Sequence, residues 1–197
     1  MKCGHCKDNA CYREGQNCTQ LTMKDVRELY TGRELEMMKA AACTEGRNYM
    51  KLSRLEESAE FAKELGIKKI GLAFCIGLAQ EAKLISTYFE KFFSVHSVCC
   101  KVCGMDKEPM ELEKICQDKF EAMCNPKVQA QELAKAGAEL NFTIGLCVGH
   151  DVLFHSASTV PVSCLVAKDR VLAHNPLGAV YSRYWRKRLG ILPEGQV

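Results

Sequence analysis

No run of apolar residues in this chain comes near the roughly 18 that a membrane-spanning helix needs. The longest lies around residues 70–79, so a soluble protein is expected. An excess of one charge is equally scarce. Basic residues outnumber acidic ones by three among 197, too few for a nucleic-acid partner to follow from charge alone. The amino end, Met1-Lys-Cys-Gly-His5-Cys, shows no apolar signal-peptide core. Together with an odd cysteine count and a chain large enough not to need staples, this argues against a secreted disulfide scaffold. Reduced thiols in the cytoplasm are expected.

Cysteine itself is abundant, with thirteen in the chain, whereas 47% apolar and 26% charged residues are ordinary for a globular protein. The length suits one substantial domain with a small appendage. Cys3, Cys6, Cys11 and Cys18 form a C-x2-C-x4-C-x6-C arrangement among polar and small residues. A segment with so little to bury cannot fold on its own core, and four thiolates on one ion would supply the missing stabilisation. Zinc suits four thiolates, and so does an iron–sulfur cluster, although the spacing differs from the common ferredoxin runs. His5 between two ligands reads as a bystander.

The body of the chain is organised around residues 141–151, Asn-Phe-Thr-Ile-Gly-Leu-Cys-Val-Gly-His-Asp. A buried strand there feeds a strand-to-helix turn, with Cys147 at its carboxyl end. The same Cys-apolar-Gly step occurs at Cys75-Ile76-Gly77, so two strands are expected to present a thiol to one sheet edge. Such edges bind ligands in open α/β sheets, because the turns converge there and helix N-termini point free N–H groups into the crevice.

The remaining elements follow from caps and periodicity. Thr22 with Asp25, and Ser53 with Glu56, are capping boxes that open helices. The first helix is interrupted at Thr31-Gly32 and ends at Gly46; the second closes at Gly66. Strands are expected at 68–75, 92–100 and 160–167, with an antiparallel edge strand at 170–173 after a Lys168-Asp169 turn. Residues 100–126 exceed a normal strand-to-helix turn and read as a cysteine-rich insertion. Leu112, Ile115, Cys116 and Phe120 predict a helix over 110–123 as a lid, with Cys116 in its apolar face. A further helix over 128–140 returns the chain to the central strand. Aromatic and basic residues mix in 181–188, which reads as a terminal helix with Tyr184 and Trp185 packed down rather than as a nucleic-acid surface.

The resulting expectation is an α/β fold: a mostly parallel Rossmann-like sheet flanked by helices over residues 21–197, preceded by a metal knuckle over 1–20. Cys75, Cys100, Cys103, Cys124 and Cys147 could share the carboxyl rim, where a helix N-terminus lowers a thiol's pKa. So many soft donors point to a second metal or an iron–sulfur centre, with cysteine-based redox chemistry as the alternative. Cys75 and Cys147 as plain small apolar residues in tight turns is the bland reading. His150 and His174 are possible ligands or acid–base groups, and Asp151 reads as a helix N-cap. Either an unidentified small molecule or a redox partner would suit the rim. An adaptor role through the knuckle and basic tail is a third reading.

The four-cysteine amino end, residues 60–75, the phrase Gly145-Leu-Cys-Val-Gly-His-Asp151 and the pair Lys168-Asp-Arg-Val-Leu and His174-Asn-Pro176 together resemble a prokaryotic family of predicted metal-binding proteins of unknown function. That resemblance implies a metal, zinc, on Cys3, Cys6, Cys11 and Cys18. It implies no particular reaction.

Overall fold

A computed structural model of the chain describes residues 1–192; the last five positions of the expected 21–197 domain lie outside the described residues. Four strands form one all-parallel sheet in the order β2-β1-β3-β4. They are β1 (Lys69–Phe74), β2 (Ser94–Cys99), β3 (Leu140–Ile144) and β4 (Val162–Val166). The centre of the sheet is its most buried part, as helices on both faces demand. β3 is buried at all five positions and β1 at four of six.

Nine α-helices accompany the sheet among the described residues. At the amino end α1 (Ala10–Arg13) and α2 (Met23–Leu29) precede α3 (Gly32–Asn48), which packs on α4 (Arg54–Glu64). Both capping boxes are present: Thr22 with Asp25 opens α2, and Ser53 with Glu56 opens α4. The expected break at Thr31-Gly32 separates α2 from α3. Gly46, expected to end α3, lies inside it. α5 (Ala79–Phe89) crosses from β1 to β2, α6 (Pro126–Lys135) leads into β3, and α7 (Val148–Ala157) joins β3 to β4. The chain closes with α8 (Gly178–Tyr181) and α9 (Arg183–Arg188).

The sheet is covered on both faces, and paired residues show which helix lies where. On one face Phe142 of β3 stacks on Phe89 of α5, with ring centroids 5.3 Å apart. On the other, Gly71 of β1 is paired with Asn141, and α6 lies close against it. A Cβ at Gly71 would fall 2.0 Å from Asn141 Oδ1 and 3.0 Å from Leu133. Only glycine lets the helix approach the strand so closely.

Two expected elements are replaced by something else. Residues 170–173 form a turn, not an antiparallel strand, because Asp169 Oδ1 accepts the N–H groups of Val171 and Leu172. A side chain that satisfies its own backbone in this way competes with a sheet ladder. The helix expected over 110–123 is a series of turns after a short 3-10 turn, Glu108–Met110. Its would-be apolar face is exposed, with Ile115 at 94% and Phe120 at 68%, and Cys116 is exposed rather than core. Without a surface to pack against, a short amphipathic helix is not stable. Ion pairs shape the segment instead: Lys114 with Asp106 at 2.9 Å and Lys107 with Glu121 at 2.7 Å. At the other end, Tyr184 is exposed, and only Trp185 is half-buried, beneath the Arg188 guanidinium.

Candidate functional site

In the order β2-β1-β3-β4 the chain runs outward in opposite directions from β1 and β3. The crevice beyond their carboxyl ends is therefore the topological switch point, where open α/β sheets bind ligands. Cys75 follows β1 and Cys147 follows β3, so both expected thiols arrive there. The ladder continues one residue past the strands: Cys75 N–H donates to the Ile144 carbonyl at 3.1 Å, and Cys100 N–H to the Phe74 carbonyl at 2.8 Å. Gln129 of α6, fully buried, fastens the two strand ends by donating to the Phe74 and Val98 carbonyls at 3.2 and 2.7 Å. Gly145 makes the turn after β3 with a φ of +61°, and a Cβ there would meet Leu78 at 2.8 Å.

The insertion brings a third thiol to the same place. Its far end is pinned where Asn125 N–H donates to the Cys100 carbonyl at 2.8 Å. Cys124 and Cys100 thus face each other at its neck, sulfurs 3.8 Å apart. Cys100 is 2% exposed and lies beneath a cavity of ≈ 600 Å³ that Cys75, Cys124, Cys147 and His150 line. Cys103 is half-buried in the turn after β2 and is not among the lining residues.

Cations surround these sulfurs. Lys168 Nζ donates to Cys75 Sγ at 2.5 Å, and the Arg170 guanidinium to Cys147 Sγ at 3.2 Å. Lys101 donates to the Ala122 carbonyl beside Cys124. The Cys75 thiol is pulled down to about 4, first by its hydrogen bond with Cys100, then by Lys168 and the Gly77 N–H, with burial opposing. Cys124 is pulled down to about 5, again first by Cys100, then by the charges of Lys101 and His150. The Cys100 thiol is pushed up by those two bonds and by burial, so it keeps its proton. One S–H can be given to one sulfur at a time. Of the two neighbours, Cys75 has the ammonium in direct contact and receives that S–H as the resident thiolate of the crevice, and Cys124, lowered also by Lys101, is a second thiolate beside it.

The histidines divide. His150 faces the crevice from the first turn of α7, whose N-cap is Cys147, not Asp151 as expected. Asp151 lies further into the helix, 3.7 Å from His155. His174 Nδ1 accepts the Asp169 N–H at 3.1 Å and so belongs to the turn over 169–174. The cations Lys168, Arg170 and Lys101 were missed in the sequence. Lys168 was legible only as part of a turn after β4 and Arg170 only as the start of the expected antiparallel strand, and a parallel β4 is what returns them to the switch point.

At the amino end the four cysteines are exposed, and Ala10 is the one buried residue in 1–31. Cys3 and Cys6 share a 3-10 turn in which Cys6 N–H donates to the Cys3 carbonyl at 3.0 Å. Cys11 lies on α1. The Cys18 thiol is pushed up by desolvation first, then by the charge and hydrogen bond of Cys11 and the charges of Cys6 and Cys3. Cys18 is thus within electrostatic range of the other three sulfurs. Among the described residues, no three His, Cys, Asp or Glu side chains are gathered as a group able to hold a metal ion as they stand. No described helix is long and apolar enough to cross a membrane.

Comparison with known proteins places the chain without assigning it a reaction. Residues 14–165 match a family model described as Protein of unknown function. That span begins beyond Cys11 and ends before Lys168. An uncharacterized protein of Methanocaldococcus jannaschii is 46% identical over 190 residues, covering 96% of this chain and 98% of its own length. No solved structure matches. With the family model spanning most of the chain and a relative alike along nearly its whole length, this chain belongs to the family DUF1847, proteins of unknown function.

Proposed function

We propose that the protein is a metal-binding thiol protein with two sulfur centres of different kinds. A zinc ion on Cys3, Cys6, Cys11 and Cys18 staples the amino end, and the switch-point crevice is the working centre, where Cys75 acts as a thiolate. The observation that carries the working centre is the Lys168 ammonium 2.5 Å from Cys75 Sγ, beside a cavity of ≈ 600 Å³. An adjacent cation stabilises the thiolate form, which is the nucleophile in any cysteine chemistry.

The donor set at the amino end fits zinc. Cys18 lies in range of the other three sulfurs, and the segment has almost nothing else to hold it. Zinc would supply folding energy there, since thiolates drawn onto one ion replace an absent core. At the rim, by contrast, protein cations already face the sulfurs, and Lys168 occupies a lone pair of Cys75 that a metal would use. That favours cysteine-based chemistry over a second metal. A reducing compartment such as the cytoplasm would keep the rim thiols unpaired.

Anaerobic purification with metal analysis, followed by alkylation at acidic pH and peptide mapping, tests both halves. One zinc per chain is expected, lost in Cys11→Ser and kept in Cys75→Ser, with Cys75 the first thiol alkylated. Iron with acid-labile sulfide, lost on Cys75→Ser, would make the rim a cluster site and overturn the thiolate assignment.

A further inference from the structure

The crevice is strongly basic for its size. Lys101, Lys107, Lys119, Lys168 and Arg170 line it against one carboxylate, Glu121, which is already paired with Lys107. Among the described residues the Lys119 side chain has no acidic partner. Two thiolates cannot neutralise this excess, so the occupant that fits is an anion. The Ile115 and Phe120 side chains stand exposed in its wall on the insertion, offering apolar contact to the rest of such a molecule.

The sulfur arrangement narrows the reaction. A single nucleophile suffices for acyl transfer or alkyl transfer, whereas here a second thiol, Cys100, sits beside the attacking one: its sulfur accepts the N–H of Ile76, the residue after Cys75, at 3.4 Å, and its own N–H donates to the Phe74 carbonyl at 2.8 Å. A second thiol placed there suits thiol–disulfide exchange, because it can resolve the mixed disulfide within the protein. The Cys124 sulfur lies 3.8 Å from that of Cys100, within reach of its proton.

We propose that the crevice reduces anionic low-molecular-weight disulfides, with Cys75 attacking, Cys100 resolving and Cys124 taking the proton of Cys100. This rests on the assignment of Cys75 as a resident thiolate. In the first step the Cys75 thiolate bonds to one sulfur of the substrate, the substrate S–S bond breaks, and one thiolate leaves. In the second, the Cys100 proton passes to the Cys124 thiolate while the Cys100 sulfur bonds to that of Cys75 and expels the second substrate thiolate. Two electrons move from the two cysteines to the substrate, leaving a Cys75–Cys100 disulfide. An external dithiol restores the reduced pair. Lys168 and Arg170 hold the anionic portion of the substrate, and they also compensate the thiolates that leave.

The test uses the full-length reduced protein and three disulfides of graded charge: glutathione disulfide, neutral hydroxyethyl disulfide and cationic cystamine. Rates should fall in that order, with at least about tenfold between the first two at low salt and a smaller gap at high salt. The double variant Lys119→Gln, Arg170→Gln should compress that ratio toward one. Cys100→Ser and Cys100→Ala should each accumulate a glutathione adduct on Cys75 that intact mass reveals, while the parent protein ends as an internal disulfide. Cys124→Ser should slow loss of the adduct without slowing its formation. Equal rates for all three disulfides would overturn the anionic substrate and leave the Cys75 thiolate standing. An adduct that persists in the parent protein would overturn the role of Cys100. No reaction at Cys75 with any probe would remove the thiolate assignment as well.

Discussion

Two groups of cysteines occur in this chain, and their surroundings set them apart. At the amino end Cys3, Cys6, Cys11 and Cys18 are exposed, short of any core, and near one another without cations in contact. At the sheet edge Cys75, Cys100 and Cys124 are held by a β-ladder, a buried glutamine and the neck of an insertion, with lysines against the sulfurs. The Cys18 thiol is pushed up, by desolvation first and then by the charge of its three neighbours, whereas Cys75 is pulled down to about 4. Sulfurs that repel one another's charge invite a cation to join them. Sulfurs already facing ammonium groups are ready to react.

The largest effect expected from breaking this contrast is at the amino end. Removing zinc with a chelator should cost on the order of 10 kcal/mol of binding free energy, so residues 1–20 should become protease-sensitive while the sheet, read by circular dichroism, persists. Sheet and knuckle collapsing together would contradict separate roles. At the rim, Cys100→Ala removes the strongest cause of the Cys75 shift, and the Cys75 pKa should rise by about two units, measured from the pH dependence of alkylation. Gly145→Ala, which forces a side chain into a positive-φ turn against Leu78, should destabilise the fold by roughly 1 to 2 kcal/mol. Denaturant unfolding would read that change, and zinc content should not move.

Lys168→Met should give the smallest change, raising the Cys75 pKa by about one unit. Its signature in stability is specific. The folded protein holds the Cys75 pKa near 4 against 9.0 for an ordinary cysteine, so between those values the unfolded chain carries the extra proton. Stability from this group therefore climbs as pH rises through that window and is lost as pH falls toward 4. Lys168→Met should start that climb about one pH unit higher and cut its total rise by about 1.4 kcal/mol, with the slope inside the window unchanged; an undiminished rise would show that the ammonium contributes nothing.

Much of the sheet was legible because β1 and β3 are short runs rich in apolar and β-forming residues, each followed by the same Cys-apolar-Gly step, and that repetition marks the switch point. The capping boxes at Thr22 and Ser53 were equally readable, since a cap is a local hydrogen-bond pattern. The insertion was not. Leu112, Ile115 and Phe120 carry helical spacing, yet spacing specifies a helix only where a surface exists to bury it; Ile115 and Phe120 overhang an open crevice and Leu112 is exposed. The cations escaped for a related reason. Lys168 and Arg170 gain meaning only once a parallel β4 returns them beside β1 and β3, a placement set by topology. Nothing local to Lys168-Asp-Arg distinguishes it from a solvated turn, and the basic crevice stayed hidden even though the thiols were found.

The most direct measurement is the alkylation rate of Cys75 against pH in reduced protein, with a blocked free cysteine as the reference. The thiolate fraction at pH 5 favours a group with a pKa of about 4 by roughly 3,000-fold over an ordinary thiol near 8.5, and its weaker intrinsic nucleophilicity offsets about 100-fold of that. Cys75 should therefore react about 30-fold faster than the reference at pH 5, on a plateau that extends down toward pH 4. A rate at Cys75 that falls tenfold per pH unit below pH 8, in step with the reference, would contradict the resident thiolate.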